Sequence, residues 1–147
     1  MANTGVTASR IIGRAEELEE HSQAFYEELA GRFPDYREMF LAFAKQCTKN
    51  RVSLVRTYRE TVSDALEMGF SFEGLDLESY QTDTTLGESV AFADAVEKAV
   101  TLEKQATAFY ESVAEHSRSL LATIPMAFKT AAKKRKQNRR KLQSLLE

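Results

Sequence analysis

Apolar residues recur at intervals of three and four over most of the 147-residue chain. This is the period of an α-helix and not the alternation of a strand. The pattern predicts four helices, at about 7–33, 34–69, 88–120 and from 125 to the C-terminus. Pro34 and Pro125 are predicted to begin two of them. Proline has no amide hydrogen, and in the first turn of a helix that hydrogen would have no intrahelical acceptor. Gly69 is suited to cap the second helix.

The connections between these helices are short, long and short. Residues 70–87, FSFEGLDLESYQTDTTLG, mix Gly, Asp, Ser and Thr without helical periodicity. They predict a long crossover between two antiparallel helical hairpins. This order is typical of a ferritin-like bundle, whereas an up-down-up-down bundle has only short loops. We therefore predict an all-α fold, a ferritin-like four-helix bundle, forming a single domain over residues 1–147.

The two predicted hairpins also resemble each other in sequence. LEKQATAFYESVAEHS at 102–117 parallels LEEHSQAFYEELAGRF at 18–33, and AAKKRKQNR at 131–139 parallels FAKQCTKNR at 43–51. The offset is 84 residues for the first pair and 88 for the second. A repeat that keeps the same inward positions indicates a structural duplication and a bundle with a pseudo-twofold axis.

Polar residues interrupt the inward seam near the middle of every predicted helix. They are Glu19 and Ser22 in the first, Cys47 and Asn50 in the second, Glu103 in the third, and Arg135 and Asn138 in the fourth. We expect six of them to meet in one buried layer: Glu19, Glu103, Cys47, Asn50, Arg135 and Asn138. Tyr26 and Tyr110 follow the two glutamates by two helical turns and are expected to be core aromatics with a bonded hydroxyl.

This arrangement resembles rubrerythrin and its ferritin-like di-iron relatives. That family has a Glu on helices one and three, seven residues before a Tyr, and Glu-x-x-His on helices two and four. By this resemblance Glu19 and Glu103 match metal-ligand positions. The other positions differ: Cys47 and Arg135 stand where the family has Glu, and Asn50 and Asn138 stand where it has His.

These substitutions predict a degenerate metal site. A guanidinium is permanently charged and would repel a metal ion beside it. We expect Arg135 to replace the positive charge of the irons, with Lys45, Lys133 or Lys134 as further cations, and the two asparagines to complete the hydrogen bonds. No cofactor and a non-catalytic, structural or partner-binding role are then expected. The alternative is an iron-binding oxidoreductase of the peroxidase or ferroxidase type, with Glu19 and Glu103 in a non-standard site.

Charge is distributed unevenly, although the net charge is only −2. Residues 125–147 contain eight basic residues and one acidic residue, while the rest of the chain contains 12 basic and 21 acidic residues. The run KKRKQNRRK lacks interleaved aromatic residues and spreads around its helix, so nucleic-acid binding is not expected from it. We expect these charges to be solvated and to face the acidic first helix.

The remaining expectations concern the histidines, the cysteine and the cellular setting. His21 and His116 are expected at the surface, since their spacing from Glu19 and Glu103 turns them away from the layer. Cys47 is the only cysteine, which excludes an intramolecular disulfide. No apolar run reaches membrane-spanning length and no signal peptide is evident. We expect a prokaryotic cytoplasmic protein, and the family resemblance implies a homodimer.

Overall fold

The computed structural model describes residues 8–61, 80, 83–116 and 123–147. They form four α-helices: α1 (Ala8–Arg32), α2 (Arg37–Thr61), α3 (Phe92–His116) and α4 (Thr123–Ser144). The described residues contain no strand, so the all-α prediction is confirmed at that level. Within these same ranges no helix is long and apolar enough to cross a membrane.

Several predicted helix boundaries need correction. Pro34 opens a 3-10 turn, Pro34–Tyr36, and the α-helix begins only at Arg37. The third helix begins at Phe92 and not at Glu88, because residues 88–89 form a turn. The fourth begins at Thr123, which places Pro125 inside the first turn, where its missing amide is still tolerated.

Other predicted boundaries lie outside the described residues. These are the start of the first helix at residue 7, the end of the second at Gly69 and the end of the third at residue 120. Most of the predicted crossover at 70–87 lies outside them as well. At the far end of the chain, α4 stops at Ser144, three residues before the predicted end.

The helices α1 and α2 form an antiparallel hairpin. The ring of Tyr26 stacks on that of Phe40, with the centroids 6.3 Å apart. Earlier in α1, the amide oxygen of Gln23 accepts a hydrogen bond from the hydroxyl of Thr48, which lies later in α2. An earlier residue of α1 thus contacts a later residue of α2, which shows that the two helices are antiparallel.

The helices α3 and α4 are antiparallel in the same way. The rings of Tyr110 and Phe128 lie 5.7 Å apart between centroids, and Glu103 contacts Arg135 further along α4. These two hairpins then pack together through α2 with α4 and through α1 with α3.

The ends of the helices define how the two hairpins are oriented. Phe33, just after α1, packs edge-on against Phe92 at the start of α3, with the ring centroids 5.2 Å apart. Leu54, in the last third of α2, lies in the same apolar cluster as Ile11 at the start of α1. Thus α3 begins at the end of the bundle where α1 finishes, and α2 finishes at the opposite end.

The described residues just before α3 run along it in the opposite direction. Tyr80 packs on Phe109, with the ring centroids 5.7 Å apart. Further toward the start of α3, the carboxylate of Asp83 lies 3.7 Å from the ammonium of Lys98. The carbonyl of Gly87 accepts a hydrogen bond from Arg32, at the end of α1. This segment therefore covers the α1–α3 side of the bundle.

Two apolar clusters fill the interior. One lies toward the start of α1 and includes Ile11, Leu54 and Phe128. The other lies toward the end of α1 and includes Phe40, Val96 and Leu142. Burial of such side chains, at about 1.5–3 kcal/mol each, is the main force holding the helices together. Between these clusters lies the polar layer.

Candidate functional site

Three ionisable side chains meet at the centre of the bundle. Glu19 of α1 is 1% exposed, and Glu103 of α3 and Arg135 of α4 are fully buried. Each lies on the inward face of its helix, at the position where an apolar seam would otherwise continue. Arg135 is the largest fully buried side chain among the described residues. Burial of charge on this scale is costly unless the charges are paired and hydrogen-bonded.

Arg135 bridges the two carboxylates. Its Nη1 donates to Glu103 Oε2 at 2.9 Å, and its Nη2 donates to Glu19 Oε1 at 2.8 Å. The same Nη2 also donates to the hydroxyl of Ser22 at 3.0 Å. That hydroxyl donates in turn to the carbonyl of Leu18 at 2.7 Å. The guanidinium thus connects three helices, with charge-assisted hydrogen bonds to two of them.

Two tyrosine hydroxyls complete the layer by crossing between α1 and α3. The hydroxyl of Tyr26 donates to Glu103 Oε2, and the hydroxyl of Tyr110 donates to Glu19 Oε2. Both rings are fully buried. Each carboxylate therefore receives one hydrogen bond from Arg135 and one from the tyrosine of the opposite helix.

This crossing was not predicted from the sequence, which placed each tyrosine two turns from the glutamate of its own helix. A signal for it existed. Each Tyr follows a Glu by seven residues, at positions 19 and 26 and at positions 103 and 110. In an antiparallel pair of helices, a seven-residue step forward on one matches a seven-residue step backward on the other. If Tyr110 lies level with Glu19, Tyr26 must lie level with Glu103.

The layer contains two carboxyl groups and one guanidinium, so its charges do not balance when both carboxyls are ionised. Burial raises the pKa of Glu103 above its ordinary value, and the Arg135 charge offsets only part of this effect. Burial also acts to lower the pKa of Arg135, but Glu103 and Glu19 outweigh it and hold that pKa well above its ordinary value. Arg135 therefore stays charged.

Cys47 lies at the edge of the same layer and is almost completely buried. Burial raises the pKa of its thiol strongly, the charge of Arg135 opposes this, and the charge of Glu19 adds to it. A thiolate is the reactive form of cysteine as nucleophile or metal ligand. The structure thus makes Cys47 a small neutral side chain and gives it no activated chemistry.

The expected role of the asparagines differs from what the structure shows. Asn50 and Asn138 are buried, but the side-chain oxygen of Asn50 accepts a hydrogen bond from Gln46 on its own helix, at 2.9 Å. The Nδ2 atoms of both asparagines have no hydrogen-bond partner among the described residues. Tyr26 and Tyr110 donate to the carboxylates instead.

The lysines predicted as further cations of the layer, and both histidines, lie at the surface. Lys45, Lys133 and Lys134, considered as further core cations, are all exposed. His21 and His116 are exposed too. His21 lies at the rim of a cavity of about 290 Å³ between α1 and α3, which opens to the outside and not into the layer.

The residues present do not fit a di-iron centre. Two irons require several carboxylate oxygens and imidazoles around them, whereas here Arg135 contacts both buried carboxylates. Within the described part of the chain, no three His, Cys, Asp or Glu side chains are grouped so that they could hold a metal ion. Glu103 Oε1 is a buried carboxylate oxygen without a hydrogen-bond partner, but it stands beside a cation.

Comparison with protein-family models, with curated proteins and with solved structures gives no match for this chain. The resemblance to the rubrerythrin family therefore depends on the residues quoted above.

Proposed function

We propose that this chain is a rubrerythrin-like, ferritin-like bundle in which the guanidinium of Arg135 takes the place of the metal centre. Its role is then structural or partner-binding and not catalytic. It acts as a homodimer in the cytoplasm. One observation carries the proposal: Arg135 contacts both Glu19 and Glu103, the two residues that match ligands of the family.

The positions of the helix ends support the ferritin-like topology. A 25-residue helix is about 37 Å long, and α2 ends near the start of α1, whereas α3 starts near the end of α1. The 30 residues between α2 and α3 must connect opposite ends of the bundle. This requirement supports a long crossover of the ferritin-like kind, because up-down-up-down bundles have none.

The reciprocal hydrogen bonds support the proposed duplication. The pair Tyr26 and Glu103 becomes the pair Tyr110 and Glu19 when the two helices are exchanged at the repeat offset of 84 residues. The ring contacts of the hairpins correspond as well, since Tyr26 packs on Phe40 and Tyr110 packs on Phe128. Related positions thus make related contacts.

The loss of metal chemistry follows from charge. A metal ion entering the layer would meet a guanidinium that already bonds both carboxylates. Removing Arg135 from them would leave a buried cation unpaired, which costs several kcal/mol. The alternative role as an iron-dependent oxidoreductase therefore lacks support from the geometry.

The test is metal content per chain, measured by elemental mass spectrometry. Protein is produced in medium supplemented with iron and manganese and purified without a metal-binding tag. We expect metal far below one ion per chain. A value near two irons per chain would overturn the proposal, and oxidase and peroxidase assays would follow.

A variant with the ligands restored makes this test sharper. In C47E/N50H/R135E/N138H, every position that differs from the family pattern carries the family residue. If the bundle is ferritin-like, this variant should bind about two metal ions per chain under the same conditions. A folded variant that takes up none would contradict the ferritin-like assignment even when the wild-type protein is free of metal.

A further inference from the structure

The surface charge of this bundle is divided between its two sides. In α1 there are six acidic and three basic residues, and in α3 there are five acidic and two basic residues. In α2 there are two acidic and six basic residues, and in α4 there are eight basic residues and no acidic residue. Because α1 packs on α3 and α2 packs on α4, the acidic helices share one side and the basic helices share the other.

The basic side is free of acidic residues over long stretches. None occurs between Glu38 and Glu60 in α2, or between Glu115 and Glu147. Only Arg135 among these cations is fully buried in the layer. Except for Arg135, which bonds Glu19, the α4 charges therefore do not face the acidic first helix as the sequence suggested. They lie next to α2, a second basic helix. The run KKRKQNRRK alone does not show which helix packs beside it.

The sides of α2 and α4 that turn away from their hairpin partners can be identified from contacts. On α2, Thr48 bonds α1 and Arg59 lines a cleft with Glu16, so this flank faces α1. On α4, Lys136 pairs with Glu111 at 2.7 Å, so this flank faces α3. Six of the other exposed cations of these two helices define what we term the basic face: Lys45, Lys49, Lys133, Lys134, Arg140 and Lys141. Arg37, Arg56 and Lys129 are exposed as well but are not counted in it.

The basic face spans two neighbouring helices. Lys133 and Lys141 are eight residues apart, about 12 Å along α4. Cys47 and Arg135 border the same layer, so Lys45 and Lys49 lie beside this stretch of α4. Axes of packed helices are about 8–10 Å apart. None of the six cations forms an ion pair with another described residue.

We propose that the basic face binds the phosphate backbone of double-stranded DNA without reading its sequence. Cations carried by two neighbouring helices can contact both of the phosphate rows that border a minor groove. That groove is narrow, about 6 Å, in B-DNA, and wide and shallow in A-form RNA. The face has no aromatic side chain, which binding of single strands by base stacking would require.

The exposed apolar residues argue against a membrane as the partner. On α2, Leu41 and Val52 are about 16 Å apart along the helix. Met126 lies near the start of α4, and Leu146 lies beyond its end. Surface apolar residues scattered in this way are ordinary, whereas insertion into a bilayer needs a continuous apolar strip.

The test is fluorescence anisotropy with a labelled DNA duplex of about 30 base pairs, at several NaCl concentrations between about 50 and 200 mM. Each phosphate contact contributes about −0.9 to the slope of log Kobs against log salt, so three to six contacts give a slope between about −3 and −5. No binding at the lowest salt concentration would overturn the proposal.

Matched variants locate the surface. K49Q/K134Q removes two cations from the basic face and should reduce the steepness of the slope by about 2 and the affinity by at least about 10-fold at low salt. K104Q/R10Q makes the same change in net charge on exposed positions of α3 and α1, and should leave binding within about 2-fold. Equal losses in both variants would mean attraction by net charge alone, and the assigned face would be wrong.

Two further ligands distinguish the partner. An RNA duplex of the same sequence should bind more weakly than DNA, and vesicles with about 30% phosphatidylserine should not bind under the same conditions. Tighter binding to RNA, or binding to vesicles without binding to DNA, would overturn the assignment to DNA.

Discussion

Replacing Arg135 with leucine is the most direct perturbation of the buried layer. The guanidinium donates to Glu19 and to Glu103 at 2.8 and 2.9 Å, and all three side chains are buried. Leucine would leave both carboxyl groups in the core without their cation. Each would keep one hydrogen bond from a tyrosine, which does not replace the lost charge.

The expected loss in the free energy of unfolding is about 3–5 kcal/mol, the usual cost of removing one partner from a buried ion pair. In a domain of this size, 1 kcal/mol corresponds to roughly 2–4 °C in Tm. The variant R135L should therefore melt about 6–20 °C below the wild type. The triple variant E19Q/E103Q/R135M, which removes all three charges together, should recover most of this loss, because buried ion pairs are often replaceable by neutral groups.

The assay is urea unfolding followed by circular dichroism, at one protein concentration because of the expected dimer. R140L is the matched control, since it makes the same chemical change at an exposed position of α4 and should stay within about 0.5 kcal/mol of the wild type. If R135L and R140L have the same stability, the ion pairs of Arg135 with Glu19 and Glu103 do not stabilise the fold, and the proposed role of the layer is wrong.

The pH dependence of R135L gives a second criterion. Without the guanidinium, burial should raise the pKa of Glu103 further, so the folded state binds more protons than the unfolded chain above about pH 4. Stability then falls as the pH rises. The deficit of R135L relative to wild type should be smallest near about pH 4.5 and largest at neutral pH. A deficit that is independent of pH would exclude buried carboxylates as its cause.

Three further outcomes follow from the same contacts. Y26F and Y110F should each lose about 1.5–3 kcal/mol in urea unfolding, as for hydrogen bonds to charged groups, while Y36F at an exposed ring stays near wild type. Because the pKa of Glu103 is raised in the folded state, the wild type should lose stability relative to E103Q as the pH rises from about 4.3 through that raised pKa. A stability difference between the two proteins that stays constant from about pH 4 to about pH 8 would contradict this. The thiol of Cys47 should react with a disulfide reagent only as fast as the chain unfolds, and rapid labelling of the folded protein would show that it is accessible.

The sequence predicted what depends on periodicity within one helix. Glu19, Glu103 and Arg135 stand at inward positions, so their burial could be expected before any relation between helices was known. The hydrogen bonds of Tyr26 and Tyr110 depend on the direction of α1 relative to α3. The periodicity within a single helix does not predict that direction.

Local sequence also failed to fix the start of α3. Residues 88–91 are compatible with a helix, but the preceding segment is tied down by Arg32 and Lys98 and reaches the bundle end before the helix begins. The basic face escaped prediction for a similar reason. It arises from two helices whose basic residues are 70 or more positions apart in the chain.

Arg135 and Cys47 are 88 residues apart, the offset of the proposed repeat, and the structure gives a reason why only one of them is an arginine. Long side chains on a helix lean toward its N-terminus, over the residue four positions earlier. That residue is Ala131 for Arg135 and Phe43 for Cys47, and all four are buried. In α2 the large residue, Phe43, precedes the small one, Cys47, whereas in α4 the small residue, Ala131, precedes the large one, Arg135.

Moving the guanidinium to the other hairpin tests this complementarity. C47R/R135C should be less stable than wild type, because the new arginine meets the ring of Phe43 and overpacking costs about 1–3 kcal/mol. F43A/C47R/A131F/R135C exchanges both pairs and should regain most of that loss, since one cation again contacts two carboxylates with room beside it. If the double and quadruple variants unfold at the same urea concentration, the small neighbour is irrelevant. The choice of α4 for the cation would then depend on contacts beyond the four residues exchanged.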